Sequence, residues 1–476
     1  LYLSAGYALG GRWADRAPYP AVLYTILAAA GIAIAVIPMA ARPLLTWAAR
    51  GMATLNLGLI AGPFAVVLLL FAAPVTLLAC VSPFAVRLAV RDVEGSGGAV
   101  GRFTAVSTLG SFIGTFLPNL VLIPNLGTRR TFLLLSLITL ATGLWGLWDS
   151  HRRRFWRLLP AALGVAVLIA RPADPVKPQA GLIHEEESTY NLIQVVEDEA
   201  GRRYLLLNEG RGIHSVYTPP ELYASAEADQ LQILTGGPWD YYLIAPFFNP
   251  PPHPPGAVRD LLVIGLAAGT TPTQFTEVYG PLAIAGVEID PAIVEVGRRY
   301  FGMTMDNLDV HIADGRTYLL QSDHRFDVVA IDAYRLPYIP WHLTTVEFFA
   351  AVRAHLVEDG VVAINVGHLP GTEAHGGWRL VDAMVNTMRQ VYPAVYVIDV
   401  PGSFNAIVVA TMQPTNAANL TANLPLLDDP RLRYLANRAH ANLRDPGESE
   451  IVFTDDHAPV EQLTHALALR YMLTID

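Results

Sequence analysis

"LLVIGLAAGTTPTQF", Leu261 to Phe275, runs from an apolar strand into a glycine-bearing turn and then into a helix. Turns of this form let a backbone approach a nucleotide or nucleoside closely. The dinucleotide fingerprint G-x-G-x-x-G is not met, because Leu266, Ala267 and Ala268 separate Gly265 from Gly269. No G-x-x-x-x-G-K-[ST] phosphate loop occurs. The turn predicts a nucleoside without a pyrophosphate, such as an S-adenosyl sulfonium compound, bordered by Gly265 and Gly269. It carries no charged residue, which is unusual for a ligand loop.

Around this turn, strand and helix patterns alternate. Strands are expected at Asp260–Ile264, Leu282–Glu288, Val310–Ile312, Asp327–Ile331, Gly360–Val366, Val395–Val400 and Ala406–Ala410, with helices such as Pro291–Tyr300 and Thr345–His355 between them. That alternation predicts an α/β fold with a largely parallel sheet. Ligands of such sheets lie beyond the carboxyl ends of the strands. Glu288 falls at one such end, about twenty residues after the turn, where a carboxylate can grip ribose hydroxyls. Asp314 in "IADGR" and Asp332 in "VVAIDAY" end two further strands. Any one of these acids alone would read as a helix cap or solvated turn. Three in succession after a glycine turn predict a nucleoside site.

Composition divides the chain. Of 476 residues, 52% are hydrophobic and 16% charged. Leu1 to about Arg171 is mostly Leu, Ala, Val, Gly and Phe, and charge returns from Pro172. The net charge is −10, with no basic stripe, which argues against a nucleic-acid partner. Cys80 is the only cysteine, so disulfides and cysteine metal sites are excluded. His184 with Glu185, Glu186 and Glu187 reads as a solvated run, and no metal is expected.

A membrane-spanning helix takes about 20 apolar residues. Pro20–Ala40, Phe103–Ile123 and Thr131–Trp148 qualify. Leu55–Val90 is too long for one span. Pro63, Pro74 and Pro83 interrupt it, so it reads as two helices, as one helix plus a re-entrant piece, or as a single crossing. Leu158–Ala170 reads as interfacial or as a tilted last span. Six or seven segments are expected. The first, "LYLSAGYALGG", reads as the end of an apolar helix that begins upstream; no signal peptide is expected. If Leu55–Val90 crosses once, Arg12, Arg16, Arg87, Arg91, Arg102, Arg152, Arg153, Arg154 and Arg157 all face the cytoplasm. Few charges lie within the spans, which favours an anchor over a coupled transporter. Pro172–Gln179 then reads as a linker. "NLIQVVED" and "RRYLLLNEG" read as a hairpin, and "FNPPPHPPG" as a rigid connection.

"LLVIGLAAGTTPTQF", "VEIDP", "IADGR" and "DVVAIDAY" resemble, in order and spacing, the motifs of spermidine synthases, the polyamine aminopropyltransferases. "GYALGGRWADR", "VSPFAVRLAVR", "STLGSFIGTFLPNLVLIPNLGTRRT", "PWHLTTVEFF" and "TDDHAPVE" are similar to bacterial proteins that fuse a multi-span region to such a domain. The resemblance implies a multi-span helical membrane domain over 1–171, a small β-hairpin domain over 180–242 and a Rossmann-like, class I methyltransferase-type catalytic domain over 257–476. It implies an integral protein of the bacterial inner membrane, in contact with lipid, with a cytoplasmic catalytic domain and a homodimeric assembly. Glu288 would bind the ribose, and Asp314, with Gly315, the adenine. Asn191 stands where the family has Gln. Asp332, with Tyr334 beside it, would orient and deprotonate the attacking amine of an amine or polyamine acceptor. Tyr241 or Tyr242 approximates a substrate-contacting Tyr, and Asp456 in "TDDHAP" is a candidate for holding a cationic acceptor.

Two departures stand out. The family carries an Asp where this chain has Ala268, and another where it has Arg335; both normally hold the ammonium of decarboxylated S-adenosylmethionine. Arginine would repel that ammonium, yet could pair with the carboxylate of S-adenosylmethionine. The diamine-binding stretch of the family is also missing around "PWDYYLIAPFF". The expected activity is aminopropyl-type transfer. Methyl or aminocarboxypropyl transfer, and a transporter or sensor with a domain that only binds nucleoside, are the alternatives.

Overall fold

A computed structural model describes residues 1–52, 58–90, 96–172, 175–208, 212–224, 230–335, 337–370 and 376–474. Of the stretches singled out above, residues 55–57, Arg91, 173–174 and 209–210 lie outside the described residues. The chain divides into two units, residues 1–178 with 187–189, and residues 179–186 with 190–476.

The first unit is helical: α1 (Tyr2–Arg16), α2 (Pro20–Met52), α3 (Gly58–Ala89), α4 (Ser96–Leu117), α5 (Ile123–Ser150) and α6 (Arg152–Ala170). α3 runs unbroken through Pro63, Pro74 and Pro83, so the long apolar run forms one helix. Prolines are tolerated in apolar helices because neighbouring helices and local adjustments re-satisfy the freed backbone groups. A π-turn at Pro118–Leu122 joins α4 to α5, and Gly127 breaks the helical path with φ 79° and ψ 160°. That break falls between the two apolar runs expected on either side of it. Six or seven spans were expected; three described stretches, Pro20–Ala48, Phe64–Ala89 and Val100–Ser150, are long and apolar enough to cross a membrane. The third has 51 residues, more than one crossing needs.

Small residues set the helix spacing. Gly6, Gly10 and Ala14 form the buried face of α1 against α3. A Cβ at Gly10 would stand 2.6 Å from the Cys80 Cα. The Cys80 thiol donates to the Gly6 carbonyl at 3.2 Å. Such close approach is the usual basis of helix association in lipid.

The second unit holds two sheets. β1 (Leu182–Glu187), β2 (Leu192–Glu197), β3 (Arg203–Leu207) and β4 (Ile213–Tyr217) form a four-stranded sheet in that order, which extends the expected hairpin of β2 and β3. The larger sheet contains β5 (Asp260–Ile264), β6 (Ala283–Glu288), β7 (Leu308–Ile312), β8 (Phe326–Ile331), β9 (Leu356–Gly367), β10 (Ala394–Asp399), β11 (Asn405–Thr411) and β12 (Leu443–Arg444). Its order is β12-β10-β11-β9-β8-β5-β6-β7. β7, β6, β5, β8 and β9 are mutually parallel. β11, β10 and β12 continue the sheet in antiparallel pairing, a feature the alternating pattern did not announce.

Helices cover both faces: α7 (Thr270–Tyr279), α8 (Pro291–Tyr300), α9 (Gly315–Gln321), α10 (Val346–Ala354), α11 (Arg379–Arg389), α12 (Ala418–Ala422), α13 (Pro430–Ala441) and α14 (Val460–Thr474). Alternate strand residues serve opposite faces. Leu262 and Ile264 pack with Val362 and Ile364 on one side, and Leu261 and Val263 with Val361 and Ala363 on the other. Burial on both faces explains the near-continuous apolar strands. Pro238–Phe248 forms a wholly buried 3₁₀ helix in the second of these cores.

Gly10→Val should part α1 from α3, since its branches would enter the Cys80 backbone. Cys80 is 1% exposed and reports the change. Maleimide labelling in detergent should speed up about tenfold, the factor expected for overpacking strain. Unchanged labelling would show that the pair accommodates the side chain.

Candidate nucleoside and amine site

The turn after β5 ties three strand ends together. Gly265 and Gly269 have φ of 85° and 93°, values that only glycine adopts readily. The Gly265 and Leu266 amides donate to the Val287 carbonyl at 2.9 and 3.0 Å, and the Asp332 amide donates to the Ile264 carbonyl at 2.8 Å. A Cβ on Gly265 would stand 2.5 Å from the Asp332 carbonyl oxygen. The turn therefore fits only against a bare backbone at position 265.

Glu288 ends β6 and is 7% exposed. Its Oε2 accepts the Ala267 amide at 2.9 Å, and its Oε1 accepts the Ile289 and Asp290 amides at 2.9 and 3.0 Å. Burial raises its pKa. With a single protein donor, Oε2 keeps capacity for another, as from a hydroxyl. Ile289, exposed beside it, offers an apolar surface. Asn191 lies in a chain of bonds. Its amide nitrogen donates to Asp290 Oδ2 at 3.0 Å and its oxygen accepts from Asn208 at 2.8 Å. Asp290 Oδ1 caps α8 through the Ala292 amide at 3.1 Å. Asn191 thus joins the small sheet to the turn after β6.

The uncharged turn has a packing reason. Ala268 is 1% exposed and packs with Ile193, Val195, Leu205 and Leu207 of the small sheet, and with Ile293 and Val296 of α8. Its amide donates to the Ser215 hydroxyl of β4 at 3.0 Å. A carboxylate at 268 would be desolvated in this layer.

Asp314 caps α9. Its Oδ1 accepts the Arg316 and Thr317 amides at 3.1 and 3.0 Å and the Thr317 hydroxyl at 3.2 Å, and Oδ2 meets His342 Nε2 at 2.7 Å. The hydrogen bond from His342 holds its carboxyl down, to about 2. Gly315 lies so close to β5 that a Cβ would meet Ile264 Cγ2 at 2.3 Å.

Asp332 directly follows β8 and is half-buried. Burial raises its pKa to about 6, against the opposing hydrogen bonds of Asn365 and Trp239. The Asn365 amide donates to Asp332 Oδ1 at 2.9 Å. Asn365 is 5% exposed, and its Oδ1 is buried without a partner among the described residues. Such a group is costly to leave unpaired. Tyr334 donates its hydroxyl to the Asn365 carbonyl at 3.1 Å, and burial raises its pKa. Tyr242, fully buried, donates to the Ile331 carbonyl at 2.8 Å. The Tyr241 hydroxyl instead accepts from Arg438 at 3.1 Å. Arg335 is exposed in a tight turn closed by mutual backbone bonds with Tyr338. Its side chain makes no ion pair or hydrogen bond among the described residues. Asp456 is exposed, and the neighbouring Asp455 makes the bonds of that turn.

Three residues at this end of the sheet were not singled out in the sequence: Asn365, Trp239 and His342. Asn365 had a readable signal, an amide within the apolar run "VVAINVG". Chemically, this strand end offers a carboxylate pushed up to about 6 by burial, beside a buried amide oxygen. Among the described residues, no group of three or more His, Cys, Asp or Glu could hold a metal.

Residues 253–422 match the Spermine/spermidine synthase domain. The chain is 28% identical over 307 residues to a probable polyamine aminopropyl transferase of Bifidobacterium longum, covering 61% of this chain and 64% of that protein. It is 30% identical over 169 residues to a polyamine aminopropyltransferase of Vibrio vulnificus, covering 35% of this chain and 52% of that protein. It is also similar to the eEF1A lysine and N-terminal methyltransferase of Mus musculus, 27% identical over 199 residues, 40% of this chain and 26% of that protein. The chain thus spans less than two thirds of the length of each of these relatives. The matched residues lie in the Rossmann-like part of the second unit. Within this chain, residues 253–422 are similar to spermidine synthase-like proteins.

Asp332 binds its proton more tightly when folded than when unfolded, so its contribution to stability is lost as pH rises from about 4 through about 6. Asp332→Asn should therefore stabilise the second unit at pH 8 by on the order of 2 kcal/mol, with no gain at pH 4. Melting temperatures at the two pH values check this; a pH-independent difference would rule it out.

Proposed function

We propose that the chain is a membrane-anchored alkyl transferase. It moves an aminopropyl-type group from an S-adenosyl sulfonium donor to an amine or polyamine acceptor, and its catalytic unit faces the cytoplasm. The observation that carries this reading is the Asn365 amide donating to Asp332 Oδ1 at 2.9 Å at the carboxyl end of the sheet, where burial pushes the Asp332 carboxyl up to about 6. An ammonium has no lone pair and cannot attack. Ionised Asp332 takes its proton, and Asn365 Oδ1 can accept a remaining N–H. The freed nitrogen attacks the methylene carbon next to sulfur. A C–N bond forms as the C–S bond breaks, its electron pair going to sulfur, which leaves as a neutral thioether nucleoside. Glu288 would hold the ribose hydroxyls and Asp314, with Gly315 beside it, the adenine. Tyr334 and Tyr242 fix the backbone around Asp332.

A second reading is favoured by one observation. Arg335 presents an exposed, unpaired cation on the loop that follows Asp332, while Ala268 offers no acid. An arginine there suits a donor that keeps its carboxylate, S-adenosylmethionine itself, for methyl or aminocarboxypropyl transfer. The similarity to a methyltransferase accords with this alternative.

Asp332→Asn should lower kcat by roughly 10²- to 10⁴-fold while nucleoside affinity stays within about twofold. The wild-type rate should rise with pH and level off above about 6. Full activity in the variant would remove Asp332 as the base. With labelled donors, methylthioadenosine as product supports aminopropyl transfer, and S-adenosylhomocysteine supports methyl transfer. Arg335→Asp should shift preference toward the decarboxylated donor by about tenfold or more in kcat/KM. An unchanged preference would place Arg335 outside donor selection.

A further inference from the structure

The Thr454–Pro459 turn has no part in the chemistry above, yet Asp455 within it is heavily engaged. Its carboxylate receives both arms of Arg316 at 2.7 and 2.6 Å and the Thr345 hydroxyl at 2.8 Å. Its amide donates to Glu347 at 3.0 Å. Bidentate pairs of this kind fix geometry as well as charge. The same Arg316 donates to the His342 carbonyl at 3.3 Å, and its amide donates to Asp314 Oδ1 at 3.1 Å. The His342 imidazole closes the ring on Asp314 Oδ2. Segments far apart in sequence thus meet on one carboxylate. Oδ1 of Asp314 already accepts three donors, and Oδ2, with one, retains room for another.

We infer that Asp455 is a positioning residue of the nucleobase subsite: by holding Arg316 it fixes His342 on Asp314, and so aims the open lone pair of Asp314 Oδ2 at the amino group of a 6-aminopurine. The inference rests on the proposed assignment of Asp314 to the base. A 6-oxopurine presents a carbonyl oxygen to that lone pair and is repelled. The turn therefore sets base selectivity through Asp455.

Calorimetry on the full chain in detergent tests this, with 5′-methylthioadenosine and 5′-methylthioinosine as probes. Asp455→Asn should weaken the 6-amino probe about tenfold and the 6-oxo probe little. His342→Gln should do the same, and the double variant should be no worse than either, because both act through one contact. Additive losses, or an unchanged probe ratio in Asp455→Asn, would overturn the inference while leaving the adenosyl reading intact. A wild-type chain that binds neither probe would overturn both. Should Asp455→Asn not fold, His342→Gln decides: its probe ratio must fall.

Discussion

The second unit is organised around a contact that leaves no room for a side chain. Gly265 passes so close to the peptide after β8 that a methyl group would collide with the Asp332 carbonyl. The turn after β5 and Asp332 are therefore one rigid piece. The Ile264, Val287 and Asp332 backbone bonds lock β5, β6 and β8 together at their carboxyl ends. Glu288 is pinned to the same turn by the Ala267 amide. A ligand placed against the turn is thereby placed relative to Asp332, which is what in-line displacement needs, since reacting atoms must lie near contact distance and aligned.

The small sheet extends this arrangement. Ser215 of β4 accepts the Ala268 amide, and Asn191 and Asn208 grip Asp290 at the start of α8. Both contacts reach the turns after β5 and β6 from outside the large sheet. They also explain why position 268 is alanine here. It serves as an apolar seam between the sheets, and an acid would have to be desolvated there. Arg335, by contrast, lies exposed on a tight turn and is open to solvent and ligand alike.

Much of the fold was legible in the sequence because it rests on local patterns. The strand containing Leu261–Ile264, the helix at Pro291–Tyr300 and the acids Glu288, Asp314 and Asp332 follow from periodicity and turn chemistry. What escaped depends on distant partners. β10, β11 and β12 read as strands or loop, but nothing local states that they pair antiparallel to β9. Pro63, Pro74 and Pro83 signal a break, and only packing keeps α3 continuous. Asp455 and Asp456 are adjacent acids in one turn, and the choice of Asp455 as the engaged one is made by Arg316 and Thr345, more than a hundred residues away. Asn365 was overlooked because a strand reading treats it as one polar residue in an apolar run.

The unpaired oxygen of Asn365 bears on more than chemistry. A buried acceptor without a donor typically costs a protein about 1–3 kcal/mol. Under the proposed function, an amine at Asp332 would lie beside that oxygen and could supply the missing hydrogen. Such a ligand would offset a local cost of the ligand-free protein. Its binding would then be coupled to folding of the second unit, because whatever favours the loaded state raises the whole unit's resistance to unfolding. The abundance of acceptor in the cell would then set how long the protein lasts as well as how fast it turns over.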